Sequence, residues 1–265
     1  MAIILFVIGA SVGSFLNVVG DRLPAGLSLV SPPSHCPRCD RPLARYDMIP
    51  LVSYLVLRGR CRYCRNPIPP RVFAIELITG LLFLAIYLQY GLGLSFLVLA
   101  ACVSFFVAVA IIDLEHGLIY NRMIAPALVL AVLVAPFWNE LGLPRTFLGN
   151  EEMLGSLYNS LVAGGAAFLI FLAIFVAYPA GMGGGDVRYA GVIGVLTGVQ
   201  GTLVGLWTAM VAGGIVAIAL IATRLRGRKD AIPFGPFMSA GAIVGLLWGS
   251  QAISAYQSLV DRIVS

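Results

Sequence analysis

Eight apolar runs, most of them close to the length of a membrane-crossing helix, constrain this chain more than any other feature. They cover residues 1–20, 72–90, 94–112, 119–138, 158–180, 187–198, 202–223 and 234–256. A bilayer core takes about 20 mostly apolar residues per helix. Backbone in lipid must satisfy its own hydrogen bonds, and a helix does so within one segment. The expected fold is therefore an all-α polytopic membrane protein with about eight transmembrane helices. The sixth run is short and glycine-rich, so it is expected to be tilted or broken. Composition agrees: 60% of residues are hydrophobic and 11% charged, where soluble domains run near half and a quarter. No basic residue precedes the first run, which therefore reads as a retained transmembrane helix and not as a cleavable signal.

The net charge of +5 does not point to nucleic acid, because the basic residues fall in short loops between apolar runs. There they set topology, since cytoplasmic loops carry the Lys/Arg excess. The first loop holds Arg22, Arg38, Arg41, Arg45, Arg58, Arg60, Arg62, Arg65 and Arg71. The third holds Arg122, the fifth Arg188, and the seventh Arg224, Arg226, Arg228 and Lys229. Only Arg145 and Arg262 fall elsewhere. Odd loops are thus expected inside, even loops and both termini outside. Small residues recur four apart at Gly9/Gly13, Gly194/Gly198, Gly201/Gly205, Gly241/Gly245 and Gly245/Gly249, a spacing that lets helices approach closely in lipid.

The one substantial insert between runs is the first loop, residues 21–71, too small to build a core without a staple. It contains C-P-R-C at Cys36 and Cys39 and C-R-Y-C at Cys61 and Cys64. Two C-x2-C knuckles place four thiolates around one tetrahedral ion, and zinc suits that sulfur set. Such a site is structural, because no coordination position is left for water. The alternative, two disulfides, is disfavoured in a reducing cytoplasm. His35 is expected to face solvent, and Cys102 to be a small buried apolar residue.

Ionisable groups within or at the edge of transmembrane helices default to functional hypotheses. Asp113 ends the third run, in A-I-I-D-L-E-H, and Asp186 opens the sixth, in G-M-G-G-G-D-V-R. Both are expected at the cytoplasmic membrane edge. Taken singly, Asp186 reads as readily as a helix cap as a functional group, and Asp113 reads as a snorkelling helix-end charge. Together, two carboxylates held close share a proton, and such a pair can activate water as base and protonate a leaving amine as acid. Gly183, Gly184 and Gly185 allow close approach of another backbone, so an extended substrate could lie against them. A nucleophile elbow at Gly9, Ser11 and Gly13 is discarded, because that motif needs a strand and a triad histidine. A zinc peptidase motif H-E-x-x-H is not formed by His35 and His116.

These stretches together resemble the type 4 prepilin peptidases, bifunctional leader peptidase and N-methyltransferase enzymes of bacterial pilus and type II secretion systems. That family belongs to the membrane aspartyl proteases with a Gly-x-Gly-Asp motif. The matching stretches are GSFLNVVGDRLP at 13–24, the cysteine loop at 36–71, the Asp113 segment, GMGGGDVR at 181–188 and PFGPF at 233–237. The resemblance implies that Asp113 and Asp186 are the catalytic pair. It implies cleavage of a basic leader after a glycine at the cytoplasmic face of the bacterial inner membrane. The substrates would be type IV prepilins or pseudopilins, and the new N-terminus would be methylated from S-adenosylmethionine. The cysteine loop marks the long, bifunctional form. The chain then divides into a first transmembrane helix at 1–20, a methyltransferase-associated loop at 21–71, and a membrane peptidase region at 72–265. Two departures bear on substrate preference more than on chemistry: Ile119-Tyr120-Asn121 stands where Ile-Pro-Asp or Ile-Pro-Asn is frequent, and Asp47 where Asn is common.

No motif assigns the methyl-donor site. Asp47 and Glu76 are its plausible polar contributors, and equally a surface charge and a helix-start carboxylate. An ion- or proton-coupled transporter using the two aspartates as relays is the alternative from another class. Such sites lie near the midplane and go with internal repeats, which the sequence lacks. A membrane adaptor that binds a partner through a zinc loop leaves both aspartates unexplained.

Overall fold

The computed structural model describes residues 1–146, 152–179, 181–225, 227 and 232–264. Ala180, Arg226, Arg228 and Lys229 lie outside the described residues. The elements are α1 (Ala2–Arg22), α2 (Val52–Val56), α3 (Pro70–Tyr90), α4 (Leu94–His116), α5 (Asn121–Val134), α6 (Met153–Ala177), α7 (Gly184–Ala222) and α8 (Gly235–Val264). Short 3-10 turns precede α2 at Arg45–Met48 and follow α5 at Ala135–Phe137. No strand occurs among the described residues; two isolated bridges join His35 to Pro42 and Arg60 to Pro67. Two compact units divide the chain, Met1–Ile111 and Ile112–Ser265.

In the first unit α1 packs along α3 through small residues. A methyl added at Gly9 would meet Phe83 and the Thr79 carbonyl, and one at Gly13 would meet the Glu76 backbone at 2.9 Å. Gly80 in turn abuts Phe6. Lipid supplies no hydrophobic drive between helices, so contact depends on such close approach. Proline at the first position of α3 costs no hydrogen bond. The helix stops at Gly91, whose φ of 70° suits glycine.

In the second unit α7 settles the helix count. Its 39 residues would make a rod of about 58 Å, roughly twice a bilayer core. Gly198 breaks it with φ 68° and ψ −179°. Ser239 on α8 bonds the Tyr189 hydroxyl at 2.6 Å, while nearby Gly241 lies against Gly205. In a straight helix Tyr189 and Gly205 would stand about 24 Å apart. The chain therefore turns back at Gly198, and both halves run beside α8. Among the described residues six helices are long and apolar enough to cross a membrane, α7 counting once, and the 121–137 segment is a shorter apolar helix. With α7 counted as two, the eight expected segments are all present in a polytopic all-α protein.

Gly194 packs against Ala163 and Gly164 of α6, and Gly201 and Gly205 pack against Gly245 and Gly241 of α8. Gly198 departs from the packing role expected of it: its positive φ makes the corner. The corner is pinned from the loop after α5. Breaking a helix orphans its last carbonyls, and Arg145 supplies donors to Val195 O at 3.1 Å and to Leu196 O. It also donates to Ser160 Oγ at 2.8 Å and stacks over Trp138 at 4.1 Å. Asn159 Oδ1 accepts the Val199 N–H at 3.0 Å, opening the second half. Arg145 is only 6% exposed, so its loss leaves buried carbonyls without partners. Arg145→Met should cost about 2–4 kcal/mol of stability, read as a drop in apparent melting temperature in detergent. An unchanged melting curve would show that the corner does not need the cation.

Candidate active site and cysteine cluster

The two C-x2-C knuckles of the first unit fold alike. Cys36 N–H bonds Arg41 O at 3.0 Å and Asp40 N–H bonds Cys36 O at 2.9 Å; Cys61 N–H bonds Asn66 O at 2.8 Å and Arg65 N–H bonds Cys61 O at 3.0 Å. Asp40 and Arg65 occupy matching positive-φ positions, at 53° and 60°. The four sulfurs of Cys36, Cys39, Cys61 and Cys64 lie within 4.8 Å of one another, with Cys36 Sγ and Cys64 Sγ 3.8 Å apart. A tetrahedron of thiolates around zinc has edges of about 3.8 Å, so the donor set fits that ion. None of the four is in a disulfide. The N–H groups of Cys64 and Tyr63 point at the Cys61 sulfur and pull its thiol down to about 7, which favours the thiolate a metal requires. His35 is exposed and Cys102 buried, as expected.

Asp47 and Glu76 are both buried, at 9% and 5% exposure, and both are engaged. Asp47 takes the Arg62 guanidinium at 2.7 Å, with that cation stacked on Tyr46 at 4.7 Å. Glu76 Oε2 accepts the Leu51 N–H at 2.7 Å. Each carboxylate thereby helps hold the loop in shape.

The aspartates belong to the second unit. Asp113 sits in the last turn of α4, 5% exposed. Its Oδ2 accepts the N–H of Gly235, the first residue of α8, at 2.8 Å. Asp186 lies in the first turn of α7, where its Oδ2 accepts the Gly183 N–H at 3.0 Å. Asp186 thus caps its own helix. Asp186 is near enough for its charge to be felt at Asp113. Both carboxylates are thus held by backbone donors at helix starts, where the dipole favours negative charge.

The glycines beside them differ in what they do. A methyl at Gly185 would stand 3.0 Å from Ile119 Cβ, one at Gly183 would stand 3.3 Å from the Asp186 carboxylate, and one at Gly184 would meet nothing within 4 Å. Arg188 donates to Asn121 Oδ1 at the start of α5. From these two residues a groove of about 660 Å³ runs along α5, α6 and the first half of α7, past Leu128, Gly165 and Phe168.

The arrangement also gives Gly235 a role that the PFGPF stretch did not reveal on its own. A Cβ there would fall 2.5 Å from Asp113 Oδ2 and 2.8 Å from its Cγ, so only glycine lets the backbone donor reach. The Tyr189–Ser239 pair went unnoticed because single hydroxyls in apolar runs carry no spacing signal. Displacing a reacting group by about 1 Å costs about 10²-fold. Gly235→Ala should accordingly lower peptide-bond hydrolysis by about that factor through turnover and not through substrate affinity. Gly93→Ala, where an added methyl meets nothing within 4 Å, should leave hydrolysis unchanged. Equal turnover in the two variants would remove Gly235 from the site.

Comparison with known proteins places the chain in a family. Residues 7–90 match the bacterial peptidase A24 N-terminal domain, and residues 100–218 match the type IV leader peptidase family. A Bacillus subtilis (strain 168) protein named prepilin leader peptidase/N-methyltransferase is 32% identical over 97% of this chain and 98% of its own length. A protein of the same name from Aeromonas hydrophila is 30% identical over 96% of this chain and 92% of its own. One from Myxococcus xanthus (strain DK1622) reaches 45% identity over 51% of this chain and 40% of its own. No solved structure matches. With relatives aligned over nearly their whole length at this identity, this protein belongs to the type IV leader peptidase family.

Proposed function

We propose that the chain is a bifunctional prepilin leader peptidase. It cuts the basic leader of type IV prepilins or pseudopilins after a glycine, then N-methylates the new N-terminal residue. The observation that carries the reading is the pair of carboxylates, each held by a helix-start N–H and within electrostatic reach of the other. Sharing one proton, Asp113 and Asp186 divide the work. The ionised carboxylate takes a proton from water as the oxygen attacks the scissile carbonyl, and the protonated carboxyl gives its proton to the leaving amine. The pair ends with one proton, as it began.

Gly184, open on its side-chain side, is where an extended substrate backbone comes closest, flanked by Gly183 and Gly185. The groove starting at Arg188 takes an apolar part of the substrate. The Lys/Arg distribution supports a cytoplasmic position for this edge, and the relatives' shared activity supports the bacterial inner membrane, with both termini periplasmic.

Zinc at Cys36, Cys39, Cys61 and Cys64 is structural, since a small loop gains its fold from the ion. S-adenosylmethionine is the methyl donor that the relatives' shared name supports. The cysteine loop lies in the first unit and the aspartates in the second, so the loop serves methyl transfer more than cleavage.

Purified protein given a prepilin-like peptide should cut it after the glycine and then transfer one methyl group to the new N-terminus. Elemental analysis should find about one zinc per chain. The Cys36→Ser, Cys61→Ser double variant should lose that zinc and lose methylation well before cleavage. Absence of cleavage refutes the peptidase reading, while an equal fall in both activities refutes the division between loop and dyad.

A further inference from the structure

The cysteine loop carries an apolar surface that its own fold does not use. Met48, Ile49, Val52, Leu55 and Val56 are 45%, 48%, 53%, 62% and 69% exposed, clustered on and just before the short helix α2. Patches of this kind on a protein surface mark an interaction site.

The loop's hydrogen bonds fix where that patch sits relative to the first transmembrane-helix pair. Leu51, at φ 63°, is a strained position for a branched side chain, and its N–H is held by Glu76 at 2.7 Å. Glu76 lies in the second turn of α3, about 9 Å along the axis from Pro70. Tyr54 of α2 packs its ring on Phe73 of α3 at 5.3 Å. The ion pair of Asp21 and Arg71 stands at the facing ends of α1 and α3, where charged groups meet the headgroups. The patch is therefore strapped beside the first turns of a membrane-spanning helix, at headgroup depth or below. Arg58, Arg60 and Arg65 follow it, Arg62 being paired with Asp47 just before it, and no acidic residue occurs from Met48 to Ile75.

We propose that residues 48–56 form an interfacial anchor that seats these side chains in the bilayer leaflet nearest the cysteine loop, with Arg58 and Arg60 on anionic phospholipid headgroups. An apolar face lying about 5–10 Å into the headgroup–acyl boundary, with arginines beside it, is the established geometry of interfacial helices. Basic residues near such a surface are attracted to anionic lipid. A tyrosine at the same level suits the aromatic belt. The anchor would tether the cysteine loop to the membrane independently of what the enzyme cuts.

The test uses the full-length protein in nanodiscs of phosphatidylethanolamine with a minor share of phosphatidylglycerol. The photo-crosslinking residue p-benzoylphenylalanine replaces Leu55, Val56 or, as control, exposed Pro37 of the first knuckle. After illumination, intact mass should show phospholipid adducts at Leu55 and Val56 and none at Pro37. Phosphatidylglycerol among the adducts should exceed its share by about fivefold. In an added Arg58→Glu, Arg60→Glu background that excess should vanish. The proposal is overturned if Leu55 and Val56 capture no lipid, if they crosslink to a second copy of the chain or to an added prepilin-like peptide instead, or if Pro37 labels equally. Adducts without phosphatidylglycerol enrichment overturn the headgroup contact.

Discussion

The hydrogen bond from the Gly235 N–H to the Asp113 carboxylate joins residues 122 positions apart, and the arrangement of the second unit depends on it. A carboxylate withdrawn from water needs donors, and side chains offering them are scarce in helices built for lipid. The start of α8 supplies a backbone donor that no helix interior could, because interior N–H groups are already bonded. Bringing that start to the end of α4 requires α8 to lie beside the first half of α7, which begins with Asp186. The Tyr189–Ser239 bond and the reversal at Gly198 achieve this. Glycine is then required twice over, at 235 for the approach and at 198 for the corner.

The same logic of close backbone approach holds the helices together. Gly201 and Gly205 face Gly245 and Gly241, and Gly194 faces Gly164, so carbonyls and Cα atoms meet where side chains would keep the helices apart. Arg145 stands apart from this pattern. It is a buried cation whose guanidinium stacks on Trp138 and donates to Ser160 and to the carbonyls left open by the turn.

Much of this was legible in the sequence. Apolar runs of bilayer length gave the eight segments, and paired cysteines gave the cluster, because both signals are local in the chain. What was illegible depends on partners distant in sequence. Gly198 looked like one more packing glycine, since its spacing from Gly194 is the same whether it faces a helix or makes a corner. Arg145 looked like an ordinary loop charge, and the partners of Asp47 and Glu76 could not be read at all. The carbonyls that occupy the first, and the Arg62 and Leu51 donors that occupy the others, lie up to 51 residues away. The doubling of the knuckles was in plain view, with Pro42 and Pro67 each six residues after the first cysteine. It became meaningful once both were seen to make the same turn.

The central claim is that two carboxylates, acting as one proton-sharing unit, perform the hydrolysis. The most direct measurement is cleavage of a prepilin-like peptide by Asp113→Asn and Asp186→Asn separately, with methyl transfer to an already cut peptide measured on the same preparations. An amide keeps the shape of each side chain but can neither hold nor release the shared proton. Each variant should lose cleavage to background and keep methyl transfer, showing that it is folded. Near-normal cleavage by either one would contradict the account.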